Sequence, residues 1–209
     1  MNNCLSLRLT VYLSGIILIF LSGCASTGTS RFYTLNSINS ADIKEKISLA
    51  DNSIAISIGP VKIPDYLDRP QIVTRTSRNE LKLSDFNRWA GSLKSDISRV
   101  LAKNLSALLS INNVYVYPWK SYIPVKYQII VDVTGFDGTP GEDVLFKANW
   151  SILGENGKKA LLTESSSYSK QINGQGYNAL VAAESLILER LSRDIAVAIK
   201  SLSQELPYK

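Results

Sequence analysis

Residues 144–152 read Val-Leu-Phe-Lys-Ala-Asn-Trp-Ser-Ile, and this stretch decides the class of fold. Its apolar and polar side chains alternate with a period of two, which is typical of a β-strand with one buried face. The Asn156-Gly157 pair that follows is a strong hairpin signal and returns the chain into a second strand over residues 159–170. The buried face is predicted to hold Val144, Phe146, Ala148, Trp150 and Ile152, and the second face Lys147, Asn149 and Ser151.

The other strands are predicted from runs of β-branched and aromatic residues that are bounded by turn residues. The clearest is residues 53–63, where Ile54, Ile56 and Ile58 alternate along one face. Two short strands about a polar turn are predicted at 71–77 and 80–83. Further strands are predicted at residues 31–35, 114–117 and 127–135.

Two helices are predicted from apolar residues that recur at three- and four-residue steps. The first spans about five turns, with its apolar stripe at Leu93, Ile97, Val100, Leu101, Leu105 and Leu108. Its charged residues are expected to face water; they are Lys94, Asp96, Arg99 and Lys103. The second helix runs from about residue 178 to 204 and ends before Pro207. Glu184 falls on its apolar stripe, and we expect this side chain to reach solvent from near the helix start.

These elements alternate only partly along the chain, which is typical of an α+β fold. We predict a single domain over residues 31–206 with a mixed or antiparallel sheet of about six or seven strands. The two long amphipathic helices are expected to pack on one face of that sheet. A chain of 209 residues is long enough to bury a hydrophobic core of this size.

The beginning of the chain is typical of a bacterial lipoprotein. An almost uninterrupted apolar run from Leu9 to Phe20 precedes Leu21-Ser22-Gly23-Cys24, which reads as a lipobox. The run is too short to cross a hydrocarbon core of about 30 Å comfortably as a helix. We predict a signal peptide at residues 1–23, a lipid attached to Cys24 and a tether at 24–30. Because Ala25 rather than aspartate follows the cysteine, outer-membrane sorting is favoured, with the domain on the periplasmic face.

The composition excludes several classes of function. The absence of histidine removes Ser-His-Asp and Cys-His catalysis and histidine zinc sites. Since Cys4 leaves with the signal peptide and Cys24 is acylated, neither a disulfide nor a cysteine metal site is expected. The net charge is +5, but no five like charges follow one another, which argues against nucleic-acid binding.

Catalysis by carboxylates alone would have to use acids such as Asp132, Asp137, Glu142 and Asp143. Three of them lie in residues 137–143, where aspartate, glycine and proline are better explained as turn residues. We therefore predict that the protein is not an enzyme and has no catalytic residues, metal site or cofactor.

Four stretches carry a resemblance to a known family. They are residues 31–35 (Arg-Phe-Tyr-Thr-Leu), 61–73 (Val-Lys-Ile-Pro-Asp-Tyr-Leu-Asp-Arg-Pro-Gln-Ile-Val), 88–90 (Arg-Trp-Ala) and 176–181 (Gly-Tyr-Asn-Ala-Leu-Val). Through them, nearly the whole mature chain resembles the ABC-type transport auxiliary lipoproteins. This resemblance implies a non-enzymatic lipoprotein that serves an inner-membrane ATPase and permease. It also implies a mammalian-cell-entry (MCE) domain protein as partner and lipid as cargo.

The loop from Pro64 to Pro70 holds the candidate partner-binding residues. Proline at both ends lowers the entropy lost on ordering, so Tyr66, Leu67 and Arg69 could be presented to a partner. The alternative is that Tyr66 and Leu67 fold back onto the sheet, and the sequence favours neither. Trp89 lies one turn before the first helix and is expected to hold the helix start in the core.

Two functional hypotheses follow. The first is a non-catalytic, outer-membrane docking component of an MCE-type ABC transport system for lipid, with self-association of the chain left open. The alternative is a stand-alone periplasmic lipid carrier or envelope-integrity lipoprotein, which needs an apolar acyl-binding cavity of its own. The polar second face of residues 144–152 favours the first hypothesis.

Overall fold

The computed structural model describes residues 28–43, 46–49, 51–120, 122–139 and 141–205. The predicted signal peptide and residues 24–27 of the tether, Cys24 among them, lie outside the described residues. Within the described ranges, neither helix combines the length and apolar character that a membrane span requires.

The predicted α+β class is confirmed, because eight strands and two α-helices form in the described ranges. The helices are α1 (Leu93–Leu109) and α2 (Gly176–Glu205). The strands are β1 (Arg31–Tyr33), β2 (Ile56–Lys62), β3 (Gln71–Ser77), β4 (Glu80–Trp89), β5 (Val114–Val116), β6 (Tyr127–Gly138), β7 (Asp143–Gly154) and β8 (Lys159–Gln171).

The larger sheet has five strands in the order β5-β2-β6-β7-β8. Strand β2 pairs in parallel with both β5 and β6, whereas β6, β7 and β8 are joined as an antiparallel meander. The predicted hairpin turn is present between β7 and β8. There Asn156 and Gly157 have φ of 55° and 85°, a left-handed backbone that asparagine and glycine adopt at low cost.

The smaller sheet has three strands in the order β1-β4-β3. Strands β3 and β4 form the predicted hairpin, and β1 pairs in parallel with the C-terminal residues of β4, from Asn87 to Trp89. The strand count and arrangement thus differ from the expected single sheet of six or seven strands. A two-residue period shows which side of a strand is buried, but it does not show which distant strand becomes its neighbour.

Both helices pack on one face of the five-stranded sheet, as predicted. Helix α1 contacts β2 and β5, and α2 contacts β6, β7 and β8. All five apolar residues of the β7 alternation are buried, while Lys147 and Asn149 on the second face are exposed. Phe146 meets Phe136 edge to face, with 5.1 Å between ring centroids. Full burial of a side chain of this kind stabilises the fold by about 1.5–3 kcal/mol.

Trp89 is also buried, with 6 % of its surface exposed, which agrees with the expectation that it holds the start of α1 in the core. The expectation that Asp96 and Arg99 face water is met only in part, because both side chains are half-buried and bind the segment after β1. Asp96 Oδ2 accepts a hydrogen bond from the Leu35 amide at 2.6 Å, and Arg99 Nη2 donates to the Leu35 carbonyl at 2.7 Å. These contacts satisfy the backbone of the segment after β1 and fix it onto α1.

The long strand β6 gives the domain two distinct ends. Its 12 residues extend over about 36 Å at about 3.3 Å per residue. Where β6 ends, a Cβ on Gly138 would fall 2.9 Å from Leu180 of α2. Strand β1 lies at this same end, because the rings of Tyr33 and Tyr177 are 6.3 Å apart and Tyr177 opens α2. We call it the tether end.

The opposite end of the domain lies where β6 begins. There the amide of Val125 donates to Asn156 Oδ1 at 3.3 Å, which brings the residues before β6 against the β7–β8 turn. We call this the far end. The two ends are therefore separated by the length of β6.

Candidate partner-binding surfaces

The Pro64–Pro70 loop is folded onto the domain. Its backbone turns through a hydrogen bond from the Leu67 amide to the Pro64 carbonyl at 2.9 Å. Leu67 is 3 % exposed and belongs to the hydrophobic core. The exposed residues of this loop are Asp65, Asp68 and Pro70.

Tyr66 is half-buried and joins a polar network at the tether end. Its hydroxyl donates to Asp137 Oδ2 at 2.8 Å. Arg75 donates to the same carboxylate with both Nε, 2.6 Å from Oδ1, and Nη2, 3.1 Å from Oδ2. Burial and the hydrogen bond to Asp137 raise the pKa of Tyr66 to about 12, so the phenol stays protonated as a donor.

Arg69, the third candidate of this loop, is half-buried, and its Nε is buried without a hydrogen-bond partner among the described residues. Partner binding through Tyr66, Leu67 and Arg69 stays a prediction. The structure restricts it, because two of these side chains already contribute contacts to the folded domain.

Glu184 lies in α2, close enough to Asp137 to experience its charge. The side chain does not reach solvent as expected from the sequence: it is 2 % exposed, and Oε2 has no hydrogen-bond partner in the described ranges. Burial, together with the charge of Asp137, raises the pKa of Glu184 to about 8. The carboxyl is therefore protonated at neutral pH, since an ionised and unpaired carboxylate would be costly here.

The other acids considered for catalysis, Asp132, Glu142 and Asp143, lie in a turn, in a surface hydrogen bond or at an exposed position of a strand. The predicted turn between β6 and β7 is supported by a hydrogen bond from the Glu142 amide to the Thr139 carbonyl at 2.9 Å. Asp143 accepts a hydrogen bond from Ser169 Oγ at 2.9 Å, and Asp132 is exposed. Across the described ranges, no three acidic, histidine or cysteine side chains come together as metal ligands.

An aromatic surface at the far end is absent from the sequence predictions. Tyr117 is 50 % exposed and Tyr122 is 74 % exposed, and the ring of Trp119 meets Tyr117 edge to face at 5.9 Å. With Ile123, Pro124 and Asn156, these rings line a groove of about 540 Å³. The sequence does contain a signal for this surface, since three aromatic residues and two prolines fall within residues 117–124. We call this the far-end aromatic groove.

The uncovered face of the five-stranded sheet is mainly polar, with Leu145 as an exposed apolar side chain on it. Ser165 Oγ donates to Asn149 Oδ1, and Ser151 and Thr163 hydroxyls are hydrogen-bonded at 2.9 Å. Lys147 and Asn149 project from the same face and are exposed. A surface of hydroxyl, amide and ammonium groups is a poor site for an acyl chain, because burying those groups against hydrocarbon costs free energy.

The fold matches known structures over most of the chain. A crystal structure of protein XCC0632 from Xanthomonas campestris, of the family DUF330, has a TM-score of 0.68 at 13 % identity, and the match covers 84 % of this chain and 98 % of that one. A second crystal structure, of an uncharacterized protein, has a TM-score of 0.65 at 23 % identity and covers 82 % and 99 % of the two chains. At these identities the likeness concerns the fold alone.

The sequence matches a family model across both sheets and both helices. Residues 33–196 match the model described as ABC-type transport auxiliary lipoprotein component. No functionally curated protein is similar enough in sequence to match. Since the family match extends from β1 into the second half of α2, the chain belongs to the ABC-type transport auxiliary lipoprotein components.

Proposed function

We propose that this protein is a non-catalytic docking component of an MCE-type ABC system that moves lipid between the inner and outer membranes. In this proposal Cys24 anchors the chain in the outer membrane and the domain lies on its periplasmic face. The partner is a periplasmic MCE-domain protein that extends from the inner membrane. Family membership supports an auxiliary role in transport.

The tether makes a partner necessary. Arg31 lies seven positions after Cys24 in the sequence, a span of at most about 25 Å. A domain held so close to its membrane cannot carry lipid across the periplasm by itself. A transport role therefore requires a second protein that comes to the domain.

The position of the far-end aromatic groove is the observation that carries the proposal. Strand β1, which follows the tether, lies at the tether end, whereas Tyr117, Trp119 and Tyr122 lie at the other end of β6. With the tether end held at the membrane, the groove is presented to the periplasm. Tyrosine and tryptophan are enriched among the residues that anchor protein–protein interfaces.

The stand-alone carrier receives less support. Both helices cover one face of the five-stranded sheet, and hydrogen-bonded polar side chains occupy the other. A groove of about 670 Å³ beside α1 is lined in part by Ser37, Ser40, Lys46 and Lys103. These polar linings differ from the mainly apolar cavity that an acyl chain needs.

Binding of the purified MCE-domain protein from the same genome to the full-length lipoprotein in detergent tests the proposal. Replacing Tyr117 and Tyr122 together by Ser should weaken binding by about 2 kcal/mol or more, about 30-fold in Kd. The matched control replaces two exposed aromatics at the tether end, Phe32 and Phe86, by Ser and should bind as the wild type does. Equal affinity of both variants would reject the groove as the docking surface, and failure of the wild type to bind would reject the partner.

A further inference from the structure

Two large apolar side chains are exposed on the three-stranded sheet. Phe32 of β1 is 66 % exposed and Phe86 of β4 is 46 % exposed. Phe32 is aligned with Arg88 in the β1–β4 register. Phe86 lies two residues before Arg88 in β4, so the two phenylalanines belong to neighbouring, paired strands. Tyr33 and Trp89, the next pair in this register, pack instead against the core. We call Phe32 and Phe86 the phenylalanine pair.

The phenylalanine pair lies beside the place where the tether enters the domain. Gly28 is the first described residue, and a Cβ on it would fall 3.1 Å from the Phe86 ring. Cys24 lies four residues earlier in the sequence, a span of at most about 14 Å. A lipid on Cys24 therefore holds the membrane surface within reach of both rings.

The charged residues around the pair suit a phospholipid surface. Arg31 is exposed at the start of β1, on the face opposite to Phe32. Arg88 shares the face of Phe32 and is half-buried, and its Nε has no hydrogen-bond partner in the described ranges. Phosphate oxygens of headgroups are acceptors for guanidinium donors. Asp85, which is exposed and precedes Phe86 in β4, carries a negative charge that opposes binding to anionic lipid.

The segment that carries Phe32 is fixed to the domain. Tyr33 Oη donates to Asn87 Oδ1 at 3.0 Å, and the Leu35 amide is bound by Asp96 at the start of α1. A membrane contact at Phe32 would therefore orient the whole domain, because β1 does not turn independently of it.

We propose that the phenylalanine pair inserts into the headgroup region of the phospholipid membrane that holds Cys24, with Arg31 and Arg88 binding lipid phosphates. This inference rests on the proposed lipid anchor. Apolar rings flanked by cationic side chains bind at membrane interfaces through apolar burial and attraction to anionic lipid. The contact sets the orientation of the domain on its membrane and points the far-end aromatic groove away from the membrane.

An environment-sensitive fluorophore on a single cysteine tests this orientation in the full-length lipidated protein. Acylation of Cys24 and loss of Cys4 with the signal peptide leave an introduced cysteine as the labelled thiol. Asp85→Cys places the probe beside Phe86, and Lys158→Cys places it at the β7–β8 turn at the far end. The proteins are bound to vesicles of phosphatidylethanolamine and phosphatidylglycerol, with brominated lipids as quenchers.

We expect a blue shift and quenching of the probe at position 85 and neither effect at position 158. In the Asp85→Cys background, replacing Phe32 and Phe86 together by Ser should remove the shift while the protein still floats with the vesicles. Unchanged thermal unfolding of this variant excludes a folding defect as the cause. If the protein floats but the probe at position 85 shows neither a blue shift nor quenching, the membrane contact of the phenylalanine pair is rejected while the anchor at Cys24 is retained. The same conclusion follows if the probe at position 158 responds more strongly. A protein that does not float would overturn the anchor at Cys24 and the contact with it.

Discussion

Arg75 Nε lies 2.6 Å from Asp137 Oδ1, and this ion pair joins the three-stranded sheet to the end of β6. Asp137 is almost completely shielded, with 7 % of its side chain exposed, while Arg75 is 31 % exposed. Tyr66 donates a third hydrogen bond to the same carboxylate. The Pro64–Pro70 loop, β3 and β6 are therefore held together through one buried acid.

Removing Arg75 should destabilise the domain strongly, because Asp137 would remain buried without its charge partner. For Arg75→Met we expect a loss of about 3 kcal/mol in the free energy of unfolding, the scale observed when one member of a buried pair is removed. Urea unfolding followed by circular dichroism measures the loss. Arg78→Met, at an exposed position three residues on, is the control and should stay within about 0.5 kcal/mol of the wild type. Similar stability of both variants would show that the pair contributes little.

Leu67 and Tyr66 should affect stability to different extents. Leu67→Ala leaves a cavity in the core and should cost about 2–5 kcal/mol. Tyr66→Phe removes the hydrogen bond to a charged carboxylate and should cost about 1.5–3 kcal/mol. Asp68→Ala, exposed in the same loop, should be nearly neutral.

The same three variants separate folding from partner binding when their affinity for the MCE-domain protein is also measured. Lost binding with unchanged unfolding in Tyr66→Phe or Leu67→Ala would support the loop as an interface. It would contradict the structural role argued for these two side chains.

Glu184 should make the stability of the domain depend on pH. Below about pH 4.5, the ordinary pKa of the group, its carboxyl is protonated in the folded and unfolded chains alike, so it carries no penalty. As the pH rises further, the unfolded chain releases this proton while the folded protein keeps it to about pH 8. Stability is therefore lost across this window, at about 1.4 kcal/mol for each unit by which the two pKa values differ.

Glu184→Gln keeps the shape of the side chain and cannot ionise, so it should flatten this pH profile. We expect its melting temperature to exceed that of the wild type at pH 8 and the difference to shrink toward pH 4.5. Glu164→Gln, at an exposed position of β8, is the control and should follow the wild-type profile. Parallel profiles for the Glu184 variant and the wild type would contradict a buried, protonated carboxyl.

Cys24→Ser should abolish membrane attachment, because the hydroxyl of serine does not accept the lipid in the way that a thiol does. The variant should be recovered in the soluble periplasmic fraction with the far-ultraviolet circular dichroism of a folded α+β domain. Fractionation of cells after a high-salt wash measures the attachment. If a Cys24→Ser variant that also carries Phe32→Ser and Phe86→Ser still sediments with membranes, the lipobox is not the anchor.

The sequence by itself determined the elements and most of their buried faces. The alternation from Val144 to Ile152 and the Asn156-Gly157 turn are local signals, because a two-residue period and a left-handed turn depend on neighbouring residues alone. The apolar stripe of α1 could also be predicted from the sequence, since helical periodicity relates residues three and four positions apart. The fold class could be predicted on this basis.

Only the tertiary structure decided what lies opposite each polar side chain. The residues next to Glu184 in its helix do not predict that Asp137 lies near it. Likewise, the residues next to Asp96 do not predict its hydrogen bond with the Leu35 amide. Both partners come from distant parts of the chain. The same holds for the division into two sheets and for the separation of Phe86 from Tyr122 at opposite ends of β6. Local patterns report the direction in which a side chain points, whereas its partner, its burial and its pKa are set by segments that meet only when the chain has folded.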